Sequence, residues 1–424
     1  VVRPVSTPAR PGFPRAARLT PYTGHLERKD TIALPEGLGG FKFPERVRSF
    51  PETSLVSKLR AEVSPMARDN DRSKFTSPSR REFIGGVAAV AALGTGLLKT
   101  GAAGATPSRP STFAAVPPAG FVPFNAPGRI VKVTKDDCLQ VNKLYPKPED
   151  AKAMFERAVQ ELTGKPDVVS AMRQFIHPDD VVVVKLNGIA LQNMSTNKEL
   201  VLPILDALIA VGVKPEKITV SEQWGSYLIG TRVSEKNVPA GVKINIHNNT
   251  DATMDDRLIP GTGLKTKFVK CLTDSTAVIN VALLKDHSIP GYTGMIKNMA
   301  QGVQTHPAQF HGHHASPQLA MLYAQDVIKS RVRLCVTDGF KIMIDGGPKW
   351  NQPRYVFPHE AVYVTTDPVA MDTIGSNLVD KMRVDKGLPT LAAAGRPPAY
   401  IKTAADLGLG VGDLNQIQMR EVAI

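Results

Sequence analysis

The sequence predicts an α/β fold: a largely parallel sheet with helices on both faces, arranged as one large domain or two lobes. Apolar runs that do not alternate, such as 180–185 (DVVVVK) and 276–284 (TAVINVALL), mark strands buried on both faces. Segments of helical period separate these runs, so strand and helix alternate along the chain. Polar residues gather just after the apolar runs, where open α/β sheets bind their ligands.

The first 128 of the 424 residues are expected to lie outside that domain. Residues 1–65 are rich in Pro and Arg and lack a sustained apolar period, which suits a disordered leader or untranslated upstream sequence. Residues 66–105 have the three parts of an export signal: a basic start, an apolar stretch over 83–98, and small residues ending in Ala103-Gly104-Ala105. Ser79-Arg80-Arg81-Glu82-Phe83-Ile84 resembles the twin-arginine export motif. The apolar stretch is short and rich in Ala and Gly, whereas a membrane span needs about 20 apolar residues. The expected partner is therefore the twin-arginine translocase, the expected location periplasmic or extracellular, with no stable membrane span once the signal is removed. Residues 106–128, rich in Pro, Ala and Ser, read as a linker, and residues 129–424 as the α/β domain.

Charge supports this division. Residues 1–105 carry 17 Lys/Arg against 9 Asp/Glu, or +8 of the total +13; the remainder carries 35 against 30, or +5. No Lys/Arg block argues for nucleic acid. Cys138, Cys271 and Cys335 are far apart and lack CxxC spacing, so no iron–sulfur cluster is expected; a disulfide between Cys138 and Cys271 is left open.

Within the domain, 129–134 reads as a short strand. Residues 149–162 carry apolar side chains at helical spacing with acids early, which predicts a helix. A second helix is expected over 167–176, and 180–185 is the first doubly buried strand. A helix at 198–211 and strands at 217–221, 242–246 and 276–284 follow. Residues 318–329 read as one helix, and 334–337 and 361–365 as strands. A helix over 368–379 opens with proline in its first turn, and 417–422 reads as a last strand. The glycines of 408–412 (GLGVG) have no strand directly before them and no long helix after, so they do not form a dinucleotide loop.

Five strands run into reactive groups: Lys185-Leu186-Asn187, Ser221-Glu222, Lys285-Asp286-His287, Asp338-Gly339 and Asp367-Pro368. If the strands are parallel, these groups share one edge of the sheet. Asp367 also suits a helix N-cap, and Asp338 a turn. Lys185 closes a run of four valines, where its ammonium can meet an anion or change its pKa. The stretch 283–314 holds five of the nine histidines. Its turn at 292–298 runs into a short helix whose first N–H groups suit an anion, with Lys297 about one turn in. His306, His311, His313 and His314 are candidate metal ligands, without the HExxH arrangement of a zinc hydrolase.

Several of these motifs resemble the bacterial and archaeal family catalogued as domain of unknown function 362. They are VVVKLN at 182–187, TNKELVLPILDAL at 196–208, VINVALLKDH with TGMIKN between 278 and 298, VTDG at 336–339, GGP at 346–348 and TDPVAMD at 366–372. The resemblance implies no settled activity. Some relatives carry ferredoxin-like cysteine clusters, which this sequence lacks. A second pattern, His287 followed by Gly-Tyr-Thr-Gly and Lys297, is similar to the core of lactate racemase and its nickel-pincer relatives. That likeness implies a nickel-pincer cofactor held covalently by the lysine and a later histidine, His306 or His313, on nickel. Met295-Ile296 stand where those enzymes tend to carry Gly and a small residue.

The expected function is an exported enzyme acting on a small anionic substrate. Lys185, Lys285 and Lys297 would hold the anion, and Asn187, Asn298 and Asp338 would complete its site. Lys285, Lys297 and above all His287 would carry the catalysis, with His287 as general acid–base group. One or two of His306, His311, His313 and His314 would bind a divalent metal. Two other readings remain open at this point: an exported protein that binds an anion or metal without turnover, and a structural or interaction protein of the cell envelope. The oligomeric state is not legible.

Overall fold

A computed structural model describes residues 113–349 and 352–424, which form one unit around one large sheet. The leader at 1–65, the signal at 66–105 and the start of the linker lie outside the described residues. No described helix is long and apolar enough to cross a membrane.

The chain enters the sheet with β1 (Arg129–Thr134), followed by α1 (Pro148–Thr163) and α2 (Val168–Met172). Pro148, Glu149 and Asp150 suit the start of α1, and Gly164 ends it at φ 68°. The Asp167 carboxylate accepts the Ser170 N–H and caps α2. Next come β2 (Val182–Lys185), α3 (Lys198–Val211), β3 (Ile218–Glu222), α4 (Gly225–Thr231) and β4 (Lys243–Ile246). A small ribbon, β5 (Arg257–Leu258) with β6 (Lys265–Thr266), and α5 (Lys270–Thr273) lead to β7 (Ala277–His287). A hairpin returns as β8 (Gly291–Thr293) and feeds α6 (Met295–Gly302). The 3₁₀ stretch Pro307–Ala315, α7 (Gln318–Tyr323) and α8 (Asp326–Lys329) precede β9 (Val332–Met343) and β10 (Val356–Thr365). The chain closes with α9 (Pro368–Asp385), α10 (Tyr400–Asp406) and β11 (Gln418–Ala423).

The strand order is β11-β1-β10-β9-β7-β2-β3-β4, with β8 attached to β7. The block β9-β7-β2-β3-β4 is parallel throughout. Both faces are covered, as expected. Along β7, Val278, Ala282 and Leu284 pack under α6 and α9, while Ala277, Ile279 and Val281 pack under α1 and α3. Two-sided burial is why these strands read as unbroken apolar runs. Each fully buried valine of β2 contributes about 1.5–3 kcal/mol relative to exposure.

Three expectations need correction. β10 runs antiparallel to both β1 and β9, so its end lies at the opposite edge from Lys185 and Lys285. Asp367 therefore does not join the other strand ends. It caps α9 through the Ala370 N–H at 2.9 Å and also accepts from Gly128 and Val411. β7 is longer than predicted, because β8 pairs with Lys285, Asp286 and His287 and keeps them in the strand. The single helix expected over 318–329 breaks into α7 and α8 at Ala324 and Gln325. Cys138, Cys271 and Cys335 are free thiols.

Candidate functional site

Pleating sorts the end of β7 into two functions. Alternate side chains point to opposite faces. Lys285 and His287 take one face, and Asp286 takes the other. Asp286 accepts the Gly347 N–H at 3.0 Å and pairs with Arg396, which also holds Asp345 at 2.5 Å. Burial pushes the Asp286 carboxyl up to about 6 against the pull of Arg396. Asp286 thus fastens the Gly346-Gly347-Pro348 turn.

At this edge of the sheet, the ends of β2, β3 and β7 meet α6. Lys185, Glu222, Thr293, Lys297, Gln301 and Pro348 are among the residues lining a cavity of about 50 Å³. A wider depression of about 550 Å³ shares Lys297, Gln301 and Pro348 with it and adds His287 and His311. Lys297 stands at their junction.

Lys185 is 1% exposed, donates to the Leu186 carbonyl at 2.6 Å, and pairs with Glu222 at 3.3 Å. Glu222 also accepts from the Gly188 N–H at 2.9 Å. Lys285 donates to Asn187 Oδ1 at 3.2 Å and to the Pro348 carbonyl at 3.3 Å. Asn187 donates to Asn298 Oδ1 at 3.3 Å, and Asn298 donates to Asn280 Oδ1 at 2.8 Å. Asn280 in turn donates to the Met295 carbonyl at 2.9 Å. The two predicted asparagines both line the inner cavity and at the same time place Lys285 against α6.

The cavity is positively charged. Lys185 and Lys297 line it, Lys285 stands behind Asn187 and Pro348 of its wall, and Glu222 is the only carboxylate in its lining. Burial, then repulsion from Lys297, lowers Lys285 to about 7; burial alone lowers Lys297 to about 8. The two lysines differ in their partners. The acceptors around Lys285 favour its ammonium form, whereas Lys297 has no hydrogen-bond or ion-pair partner among the described residues. Two further buried atoms in the lining, Thr293 Oγ1 and Gln301 Oε1, also lack partners among the described residues. A buried polar atom without a partner costs about 1–3 kcal/mol. Three such groups around one cavity mark a place built for a polar ligand.

The histidines separate. His311 Nδ1 faces the Pro307 carbonyl at 3.0 Å, which makes Nδ1 the donor and leaves Nε2 an acceptor without a partner among the described residues. His287 has the opposite tautomer: Nδ1 accepts the Ile289 N–H at 3.0 Å, so Nε2 carries the proton. The two rings stack with centroids 5.8 Å apart. Burial lowers both pKa values, with Lys297 the next cause for each, so both rings are neutral near pH 7. His287, expected as the acid–base group, is a fixed donor; His311 has the free lone pair.

His306, His313 and His314 are exposed and line none of these cavities. His313 and His314 sit on left-handed backbone at φ 52° and 56°. Among the described residues, no group of three or more His, Cys, Asp or Glu could hold a metal ion. The donor set expected for a divalent metal does not come together, and the two histidines that the lactate racemase likeness points to for nickel are not beside Lys297.

The start of α6 also differs from expectation. Its first N–H groups, read as a site for a ligand anion, are taken by the protein's own Asp372. The carboxylate accepts from Met295 at 2.6 Å and from Ile296 at 3.1 Å. Burial pushes this carboxyl up to about 7 even so. A Cβ on Gly294 would lie 2.0 Å from Asp372 Oδ1, which explains the glycine before the helix. Asp338 is likewise structural. It is 1% exposed and accepts from Asn197 N at 2.6 Å and from Asn197 Nδ2 at 3.0 Å, which holds the start of α3. It does not reach the lysine cavity.

Lys285, Lys297, Asp372 and the Gly347-Pro348 turn now account for the main sequence motifs as one connected site. Residues 182–377 match the family model described as Domain of unknown function (DUF362). No curated protein matches the chain. The DUF362 match spans β2 through the first half of α9, and so contains every lysine and histidine of the cavity. β1, α10 and β11 lie outside it, although β1 and β11 extend the same sheet.

Residues missed as site members are Glu222, Gln301, Thr293 and Asp372. Glu222 was visible as a polar strand end. Asp372 was visible as an acid on the buried side of a helix, within TDPVAMD. Nothing in the sequence distinguishes Gln301 or Thr293 from ordinary polar residues.

Proposed function

We propose that this chain is an exported enzyme that moves a proton on a small anionic substrate, at the carboxyl ends of β2, β3 and β7. One observation carries the reading: Lys185 and Lys297 line a cavity with a single lining carboxylate, Lys285 stands directly behind its Asn187 and Pro348 wall, and Lys297 is unpartnered among the described residues. Buried ammonium groups close to one another are unfavourable without a counter-anion. Lys185 is neutralised by Glu222, which leaves Lys285 and Lys297 for the substrate. The inner cavity of about 50 Å³ suits one anionic group, and the outer depression suits the rest of a small molecule.

His311 supplies the base through Nε2, and His287 the neutral donor through its Nε2–H. No step is assigned to a metal, because the described donors do not form a three-ligand set. Export rests on the pattern of residues 66–105, with Arg80-Arg81 before Phe83-Ile84. A protein that binds an anion without turnover would use the same lysines; the complementary histidine pair favours the enzyme.

The test is exchange of carbon-bound hydrogen. A panel of small carboxylates is incubated with the protein in D₂O and read by proton NMR. Exchange of the C–H beside the carboxylate or a carbonyl, lost in His311→Ala, is expected. Tight binding with no exchange across the panel would select the binding protein instead.

A further inference from the structure

We propose that Lys297 is a nucleophile that forms an imine with the carbonyl carbon of a small oxo acid, whose carboxylate occupies the inner cavity. The proposal rests on the reading of this cavity as an anion site and names the substrate class for it. Lys297 is 7% exposed, stands where the two cavities meet, and has no acceptor for its amine among the described residues. A buried ammonium without an acceptor is disfavoured, and burial lowers Lys297 to about 8, so its neutral amine is far more accessible than that of an ordinary lysine. Lys285, 0% exposed, is the contrasting case. Asn187 and Pro348, which line the inner cavity, hold it as a donor behind that wall, where its charge faces the cavity only through them.

A lysine made nucleophilic by desolvation and by a second cation nearby is suited to imine formation. Nζ adds to the carbonyl carbon. The two hydrogens of the amine end on the carbonyl oxygen, which leaves as water, and a C=N bond replaces C=O. No oxidant or reductant is required. The unpartnered Thr293 Oγ1 and Gln301 Oε1 line the same cavity and offer a donor and an acceptor for the hydroxyl of the intermediate carbinolamine. The imine, once protonated, draws electrons from the adjacent carbon. His311 Nε2 can then take a proton from that carbon, and the electron pair moves to nitrogen as an enamine. This step connects the lysine to the histidine pair across the shared depression.

The experiment traps the imine. The full chain is incubated with pyruvate or glyoxylate and sodium cyanoborohydride, and the modified lysine is mapped by peptide mass spectrometry. Calorimetry with propionate, which has no carbonyl, reports anion binding separately. The expected result is a saturable reduced adduct on Lys297, suppressed by propionate. Lys297→Arg should lose the adduct and retain propionate binding. Propionate binding with no adduct on Lys297, or with adducts spread over surface lysines, would overturn the imine and leave the anion site standing. Absence of binding by propionate and both oxo acids would overturn the anion site, and the imine with it. Mapping on the unsubstituted chain decides the point even if the variant fails to fold.

Discussion

Asp372 accepts the backbone N–H of Met295 at 2.6 Å, so the helix bearing Lys297 begins on a carboxylate from α9. The contact joins residues 77 apart in sequence. Asp372→Ala should lower stability by about 2–4 kcal/mol, because it orphans two buried N–H groups at about 1–3 kcal/mol each. Chemical denaturation measures this. Anion affinity should fall as well, since α6 carries Lys297 and Asn298. Unchanged affinity would show that the cap does not position the site.

Anion binding and stability should respond to pH in opposite directions. Lys285 and Lys297 have folded-state pKa values lowered to about 7 and about 8, against an ordinary value of 10.5. The unfolded chain therefore holds more protons than the native one between roughly pH 7 and 10.5, and the ligand-free contribution of these lysines to stability rises with pH across that window. Anion affinity should instead fall above pH 7 as the ammonium forms are lost, by about tenfold per pH unit for each lysine fully past its pKa. Calorimetric titration and denaturation from pH 6 to 9 test both trends. Two curves of the same sign would exclude these lysines as the source.

Replacing the histidines one at a time should divide them sharply. His311→Ala should reduce proton exchange by about 10²–10⁴-fold, the range for removing an acid–base group. His306→Ala, His313→Ala and His314→Ala should leave exchange near the wild-type rate, because their side chains are exposed and line neither cavity. A large loss in any of these three would place the chemistry elsewhere in the loop.

Gly302→Ala should damage the Lys185–Glu222 pair. A Cβ there would lie 2.6 Å from Lys185 Cε and 2.9 Å from its Nζ. Lys185 is fully enclosed, so relief requires breaking its contacts, at about 1–3 kcal/mol for overpacking. The loss should appear in the unfolding midpoint.

Asp338→Ala gives the complementary result. Both carboxylate oxygens serve Asn197, so the variant should be less stable by about 1–3 kcal/mol. Its anion affinity should match wild type in calorimetry. A selective loss of affinity would return Asp338 to the binding site.

The sheet was legible because burial on both faces leaves a compositional trace: 180–185 and 276–284 could be little else than inner strands. Strand direction left no trace. The run 361–365 has the composition of its parallel neighbours, yet β10 is antiparallel, and Asp367 went to the far edge with it. In the site, Lys185, Lys285 and Lys297 stood out because a lysine beside an apolar run is rare. Asp338 stood out for the same reason and proved to hold Asn197. Sequence shows that a buried charge exists, while its partner is fixed by contacts between distant residues. The Asp372 cap and the opposed tautomers of His287 and His311 depend on such contacts, with Met295 and with the Ile289 and Pro307 backbone respectively.

The file of asparagines beneath Lys285 has an electrical direction. Met295 offers a carbonyl to Asn280, so Asn280 must turn its own oxygen outward to Asn298; the same choice passes to Asn187 and ends at the lysine. Three side-chain amide dipoles are thereby aligned head to tail, with the negative end of the series against the ammonium. Reversing any one amide would set two donors or two acceptors face to face and upset the whole row. The orientation of Asn187 is therefore dictated from the backbone of α6, and with it the oxygen that meets the amine of Lys285.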